Sequence, residues 1–145
     1  MSRGTLFAMF PNAITFEKLT RTAAEAAEQI GCTEAQICKS IVFKSGEGVV
    51  LILTSGGNRV NTEAVAARIG MSLEKADANF VKEKSGYVIG GVAPWGHKTA
   101  PTVFLDETLA HYDALWASAG TANSVFPTTF AELKEKAGAV VISVL

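Results

Sequence analysis

Charge of one sign is what this chain most conspicuously lacks. Lys and Arg together number 13 against 14 Asp and Glu, giving a formal net charge of -1, and charged residues make up only 19% of the 145. Coating long stretches of nucleic acid requires a surplus of Lys and Arg on one face to neutralise phosphates. That class is disfavoured, and so is sequence-specific DNA binding, for which no helix-turn-helix pattern is present. A small local contact with a nucleic-acid end stays compatible with the balance. Cysteine is equally scarce. Cys32 and Cys38 lie too far apart for a CxxC pair, and neither a second Cys pair nor a His pair accompanies them, so no zinc site is expected. Cytosolic thiols are the simplest reading. Long apolar runs are missing too: Met1 to Phe10 carries one basic residue and a very short apolar run, a poor secretory signal, and no later stretch reaches membrane-spanning length. The expectation is a cytoplasmic protein with no membrane and no DNA partner.

Familiar catalytic signatures are absent as well. Neither His97 nor His111 falls in a recognisable triad, and there is no G-x-S-x-G elbow, so a serine or cysteine nucleophile is not indicated. Cys38 neighbours Lys39, which could lower its pKa, yet an isolated thiol in apolar surroundings usually behaves as a small buried hydrophobe. Gly86 to Gly91 gives no G-x-G-x-x-G opening a helix, and no G-K-[ST] occurs, which leaves no support for a cofactor. Asp106 and Glu107 are adjacent at a strand end and would point to opposite faces, so Asp106 reads as a turn or helix cap rather than half of a carboxylate pair.

What is present suits one domain over residues 1–145, with 48% hydrophobic residues and abundant small side chains for close packing. Residues 1 to 19 read as a short helix or turn followed by an edge strand through Ile14, Phe16 and Leu19. Thr22 and Glu25 are spaced as a capping box for a helix with Ala23, Ala26, Ala27 and Ile30 on its apolar stripe and Gly31 as its stop. Thr33 to Cys38 suggests a helical turn, with Lys39 at the start of a strand, Ser40 to Lys44. Ser45-Gly-Glu-Gly48 turns into Val49 to Thr54, an unbroken apolar run expected at the sheet centre with both faces covered. Asn61 and Asp77 are placed to cap two further helices, ending at Gly70 and near Lys84, with a possible strand over Met71 to Lys75 between them. Strands are expected at Tyr87–Val92, Thr102–Asp106, His111–Ser118, with Tyr112, Ala114 and Trp116 on one side, and Thr121–Phe126. A helix capped by Thr129 and Glu132 precedes a last strand at Ala139–Val144. Hairpins with helices between them, rather than strict βαβ alternation, predict an α+β fold on a mixed, mainly antiparallel, curved sheet.

The remaining signal is Val88-Ile-Gly-Gly-Val-Ala-Pro-Trp-Gly-His97, in which four of ten residues are Gly or Pro between apolar flanks. Such a stretch exposes backbone and suits a ligand-facing loop. With Lys39, Arg59 and Asn123-Ser124 it forms a basic and glycine-rich set, whose main-chain donors and one or two cations suit a phosphate or an ester carbonyl.

The succession Thr22-Ala-Ala-Glu-Ala-Ala, Gln36-Ile-Cys-Lys-Ser-Ile-Val-Phe-Lys44, Val50-Leu-Ile-Leu-Thr54, Arg59-Val-Asn61, Gly90-Gly-Val-Ala-Pro-Trp-Gly96, Val103-Phe-Leu-Asp106 and Ala119-Gly-Thr-Ala-Asn-Ser124 resembles the YbaK/ProX family of free-standing trans-editing aminoacyl-tRNA deacylases, relatives of the insertion domain of bacterial prolyl-tRNA synthetase. It runs from about Thr20 to the end, closer to the ProX-like branches than to the cysteine-specific YbaK branch. The resemblance implies a barrel-like mixed sheet flanked by helices, and hydrolysis of the ester joining a wrong, small amino acid to tRNA, without metal or organic cofactor. The implied partners are the acceptor 3′ end of an aminoacyl-tRNA and, beyond it, an aminoacyl-tRNA synthetase. It implies that Lys39 holds the 3′-terminal adenosine and its phosphate, and that Gly90 and Gly91 polarise the ester carbonyl. Val92, Pro94, Gly96, Arg59, Asn123 and Ser124 would contact substrate. A substrate hydroxyl, the ribose 2′-OH, would help to activate water. Trp95 and His97 depart from the family pattern, so pocket size and specificity would turn on these two. A noncatalytic module binding a tRNA 3′ end or a synthetase is the alternative expectation.

Overall fold

The computed structural model describes residues 9–18 and 22–145. Among them eight strands form one mixed sheet: β1 (Ile14–Thr15), β2 (Ile37–Ser45), β3 (Gly48–Ser55), β4 (Glu74–Lys75), β5 (Thr102–Asp106), β6 (Leu115–Ser118), β7 (Ser124–Thr128) and β8 (Val140–Ile142). The pairing path runs β1-β7-β6-β2-β3-β5-β8, with β4 added to β2. The β1–β7, β2–β3, β2–β4 and β6–β7 pairs are antiparallel, while β2–β6, β3–β5 and β5–β8 are parallel. The α+β class with a mixed, mainly antiparallel sheet is therefore as the sequence predicts, but among the described residues the path stays open and no barrel closes.

Four helices flank it: α1 (Ala23–Ile30), α2 (Thr62–Ile69), α3 (Ala78–Ser85) and α4 (Phe130–Ala137). Their side-chain caps are those expected: Thr22, Asn61, Asp77 and Thr129 each accept a hydrogen bond from a first-turn main-chain N–H. β3 is covered on both faces, as its unbroken apolar run requires. Leu51 and Leu53 enter the main core with Phe126, Leu133 and Leu105, whereas Val50 and Ile52 pack with Val65 and Phe104.

Local corrections concentrate where polar capping overrides alternation. Thr33–Cys38 forms a 3-10 turn only over Glu34–Gln36, and β2 already begins at Ile37. The strand expected over His111–Ser118 starts instead at Leu115, because Asp106 accepts the N–H of Thr108 and caps a 3-10 turn, Glu107–His111. Its buried side is Leu115 and Ala117 rather than Tyr112, Ala114 and Trp116. Tyr87–Val92 is not a strand: the N–H of Gly91 donates to the Val88 carbonyl at 2.9 Å and closes a tight turn. The strand placed over Thr121–Phe126 is displaced to Ser124–Thr128, after a turn in which Ser124 N–H reaches the Thr121 carbonyl. Met71–Lys75 and Ala139–Val144 shrink to β4 and β8. Of the amino-terminal elements, Ile14–Thr15 pairs with β7 at the sheet edge, while the expected helix or turn lies largely, and Leu19 entirely, outside the described residues.

Candidate functional site: a cavity beside the uncovered edge of β2

The ladder with β3 determines which way β2 presents its main chain. The Ile37 carbonyl accepts from Gly56 N–H on the β3 side, so Cys38, Ser40, Val42 and Lys44 turn their main-chain groups to the other edge. There β6 pairs at Ile37–Cys38 and β4 at Phe43–Lys44. Between them, Lys39 to Val42 has no strand partner on this edge among the described residues, and a cavity of about 380 Å³ opens along this gap.

Lys39, Gly90, Val92 and Ser124 all line the cavity, although the chain separates them by up to 85 positions (124 minus 39). α1 supplies Ala23 and Ala26 as a close small-residue wall, and Ile37 and Ala117 continue it. A hydroxyl rim comes from Ser118, Thr121 and Ser124: the Thr121 and Ser124 hydroxyls bond each other, and Ser118 Oγ donates to the Thr121 carbonyl at 3.3 Å. The loop opposite is shaped by two glycines with different duties. Gly90 sits at φ 88° with open space where a Cβ would stand, the position of a turn that demands positive φ. At Gly91 a Cβ would lie 2.8 Å from the Thr121 carbonyl carbon and 2.9 Å from Ala122 N, so the loop rests directly on the β6–β7 turn.

A match to the aminoacyl-tRNA editing domain spans residues 17–136. The chain belongs to the aminoacyl-tRNA editing domain family. It is 33% identical over 121 residues to the uncharacterized protein YwhH of Bacillus subtilis (strain 168), covering 83% of this chain and 77% of that one. An 87-residue stretch is 36% identical to proline–tRNA ligase of Thermosipho africanus (strain TCF52B), 57% of this chain but only 16% of the ligase. The crystal structure of a candidate trans-editing enzyme for prolyl tRNA synthetase superposes with a TM-score of 0.86 at 39% identity, over 91% of this chain and 84% of that chain.

Several residues that the resemblance implies would contact substrate do not line this cavity. Trp95 turns into the core, its ring 5.3 Å from both Phe10 and Phe126 between centroids, with Lys136 Nζ 5.4 Å over its face. The His97 ring lies edge-on to Tyr87, and its Nε2 is 2.7 Å from the Ala93 carbonyl. Burial lowers its pKa, the bond to Ala93 opposing that shift. Burial pushes the Tyr87 phenol up to about 12, and it donates to the Trp95 carbonyl at 2.9 Å. Gly96 is held beneath that phenol. Pro94 is buried, and neither it nor Trp95, Gly96 or His97 lines the cavity. Asn123 ties β7 to the amino-terminal segment by donating from Nδ2 to the Phe16 carbonyl at 3.0 Å, and Arg59 is exposed away from the cavity. The half of the loop after Val92 is thus an anchor, because aromatic area is best satisfied inside. Gly91 gives its amide to the turn, which leaves Gly90 as the glycine at the cavity wall.

Cys38 lines the cavity, but burial, with the Asp106 charge adding to it, raises its thiol pKa and keeps the thiolate scarce. Among the described residues no group of three His, Cys, Asp or Glu side chains is disposed to hold a metal ion, and no helix is long and apolar enough to cross a membrane. Sequence reasoning missed Thr22, Glu34, Gly56, Ser118 and Thr121 as cavity residues. Of these, Thr22 and Thr121 stand in segments that carry the family pattern, and the other three had no signal.

Proposed function

We propose that this protein is a trans-editing hydrolase that cleaves the ester of a mischarged aminoacyl-tRNA carrying a small amino acid. The observation that carries the reading is the convergence of Lys39 and Gly90 on one cavity with a wall of Ala23, Ala26, Ile37 and Ala117. Such a wall favours a small aminoacyl group, while Lys39 supplies the cation for the 3′-terminal phosphate or ribose. The Gly90 amide, at the cavity side of the turn, is the donor for the ester carbonyl. Water adds to that carbonyl carbon, the carbon–oxygen bond to the ribose breaks, and the proton released by water ends on the departing ribose oxygen. The ribose 2′-OH relays that proton, and positioning provides most of the rate. The acceptor 3′ end of the tRNA is the partner, with an aminoacyl-tRNA synthetase as the source of the error, and the cytoplasm is the compartment.

The test is single-turnover hydrolysis, at protein excess, of Ala-, Ser-, Thr- and Cys-charged tRNAs. At least one is expected to be deacylated, with Lys39→Ala reducing the rate about 10²-fold. Hydrolysis of none, or an unchanged rate in Lys39→Ala, overturns the proposal. Tight tRNA binding without cleavage would mark the noncatalytic module instead.

A further inference from the structure

The hydroxyl rim of the cavity has a polarity that a count of its protons determines. Ser118, Thr121 and Ser124 all line the cavity, and each hydroxyl carries one proton and two lone pairs. Asn123 decides where the protons go. Its Nδ2 donates to the Phe16 carbonyl at 3.0 Å, so Oδ1 is the atom turned to Thr121 and accepts the Thr121 hydroxyl proton at 3.1 Å. With that proton used, the bond between Thr121 and Ser124 is made by the Ser124 proton. The Ser118 proton goes to the Thr121 carbonyl at 3.3 Å, and Ser118 Oγ also accepts the Gly120 N–H at 3.2 Å. All three protons are committed inside the β6–β7 turn, while each oxygen keeps an unused lone pair. The rim therefore offers the cavity acceptors and no hydroxyl donor. The facing wall is the reverse: the Ser40 hydroxyl there is buried without a partner among the described residues, and Gly90 brings its amide to the same wall. Gly91 holds the two sides together, since a Cβ on it would lie 2.8 Å from the Thr121 carbonyl carbon. Glu34 and Lys39, the charged lining residues, are opposite in sign, so hydrogen-bond direction is left to select the ligand.

We infer that Ser118, Thr121 and Ser124 form a cup for the α-ammonium of the aminoacyl ester, so that the protein requires a free amino group and rejects N-acylated esters such as a peptidyl ester. This rests on the hydrolase reading above. An α-amino ester presents a carbonyl oxygen that only accepts and, two bonds from the carbonyl carbon, an ammonium that only donates. A donor wall at Gly90 beside an acceptor rim at Thr121 and Ser124 has the same order. Hydrogen bonds from a charged donor are stronger than neutral ones, which compensates the ammonium for the water it gives up. Acylation removes the charge and leaves the nitrogen one proton. It also adds a carbonyl oxygen that would face the rim's lone pairs. Asn123 touches no substrate in this scheme and is a positioning residue, because its held amide sets the direction of the rim's protons.

The test compares, in single turnover, a mischarged tRNA that the protein hydrolyses with the N-acetylated form of the same tRNA. The free-amine ester should react about 10²-fold faster. Ser124→Ala should lower that ratio about tenfold, whatever fraction of the variant folds. Asn123→Leu removes no oxygen from the cup but frees the Thr121 proton, which then turns to Ser124 and sends the Ser124 proton into the cavity. The ratio should fall as far as in Ser124→Ala. If Asn123 serves only to tie β7 to Phe16, both rates drop alike, the ratio stays, and the inference is overturned. Equal native rates on the two esters overturn it as well. So does a Ser124→Ala protein that keeps the ratio and changes only its preference between Ser- and Ala-charged tRNA, because the rim would then serve the substrate's side-chain hydroxyl. The 3′-amide analogue of 3′-alanyl-adenosine and its N-acetyl form give a binding test by calorimetry that needs no cleavage. Preference for the free amine in a protein that hydrolyses no panel member would sustain the cup and refute the hydrolase reading. Equal hydrolysis of both esters would refute the cup alone.

Discussion

Asp106 Oδ2 accepts the main-chain N–H of Ser55 at 3.0 Å, joining the ends of β5 and β3 through a carboxylate only 1% exposed. The same oxygen accepts Asn58 Nδ2 at 3.0 Å, and Oδ1 accepts Thr108 N–H at 2.9 Å. Through Ser55 the carboxylate fixes the turn that holds Gly56 in the cavity wall, where a Cβ would lie 2.4 Å from the Glu34 carbonyl.

Asp106→Ala should therefore destabilise the fold by about 2–4 kcal/mol, since each orphaned buried donor costs about 1–3 kcal/mol. Asp106→Asn keeps one oxygen for Ser55 and Asn58 and gives up only the Thr108 bond, so its loss should be about half as large. Denaturant unfolding of both variants checks the order, and equal losses would show that geometry alone, not donor satisfaction, is at stake.

The two loop glycines should respond differently to alanine. Gly90→Ala meets open space and pays only for the positive φ, about 1–2 kcal/mol. Gly91→Ala collides with main chain at Thr121 and Ala122, which cannot swing aside as a side-chain tip can. Thermal unfolding should show the larger loss for Gly91→Ala. Deacylation measured on folded protein should fall in both, because Gly91 positions the wall that Gly90 forms.

Much of this arrangement was legible in residue order, and the reasons are local. Thr22, Asn61, Asp77 and Thr129 announce their helices because a cap is a bond between near neighbours. The run Val49 to Thr54 announces a strand buried on both faces because it is short, rich in β-branched residues and bounded by Gly-containing turns. Lys39 and Gly90 were recognisable through the family pattern. Invisible from the chain were the gap on β2, which depends on where β6 and β4 happen to stop, and the direction of the Trp95 and His97 side chains. A Gly/Pro loop exposes backbone on one side and packs on the other, and only the positions of Phe10, Tyr87 and Phe126 decide which residues go inward.

His97 gives stability a pH dependence. Its folded pKa is lowered by burial from the ordinary value of 6.5, so between the two values the unfolded chain binds the proton more readily than the native one. Stability from this group is complete above about pH 6.5 and declines as the pH falls below it. The melting temperature should drop between about pH 7 and about pH 5 more steeply in the native protein than in His97→Phe. Since the ring does not line the cavity, the pH profile of deacylation should be the same in both proteins. A shifted profile in His97→Phe would put the ring back into the chemistry.

Trp95 separates the anchoring role of the loop from a role in specificity. If it set the size of the aminoacyl pocket, shortening it would admit larger amino acids. Its ring instead fills the space between Phe10 and Phe126, beneath the Lys136 ammonium, and Val92 is the last loop residue to reach the cavity. Trp95→Ala should cost about 3 kcal/mol by opening a void in the core. The ratio of rates on Ala-, Ser-, Thr- and Cys-charged tRNAs should nevertheless stay within about twofold of the native ratio, because a loss of packing lowers every rate alike. Val92→Ala, by contrast, enlarges the cavity itself and should raise the relative rate on the bulkier Thr-charged tRNA. If Trp95→Ala changed that ratio while Val92→Ala did not, the inward placement of Trp95 would have to be abandoned.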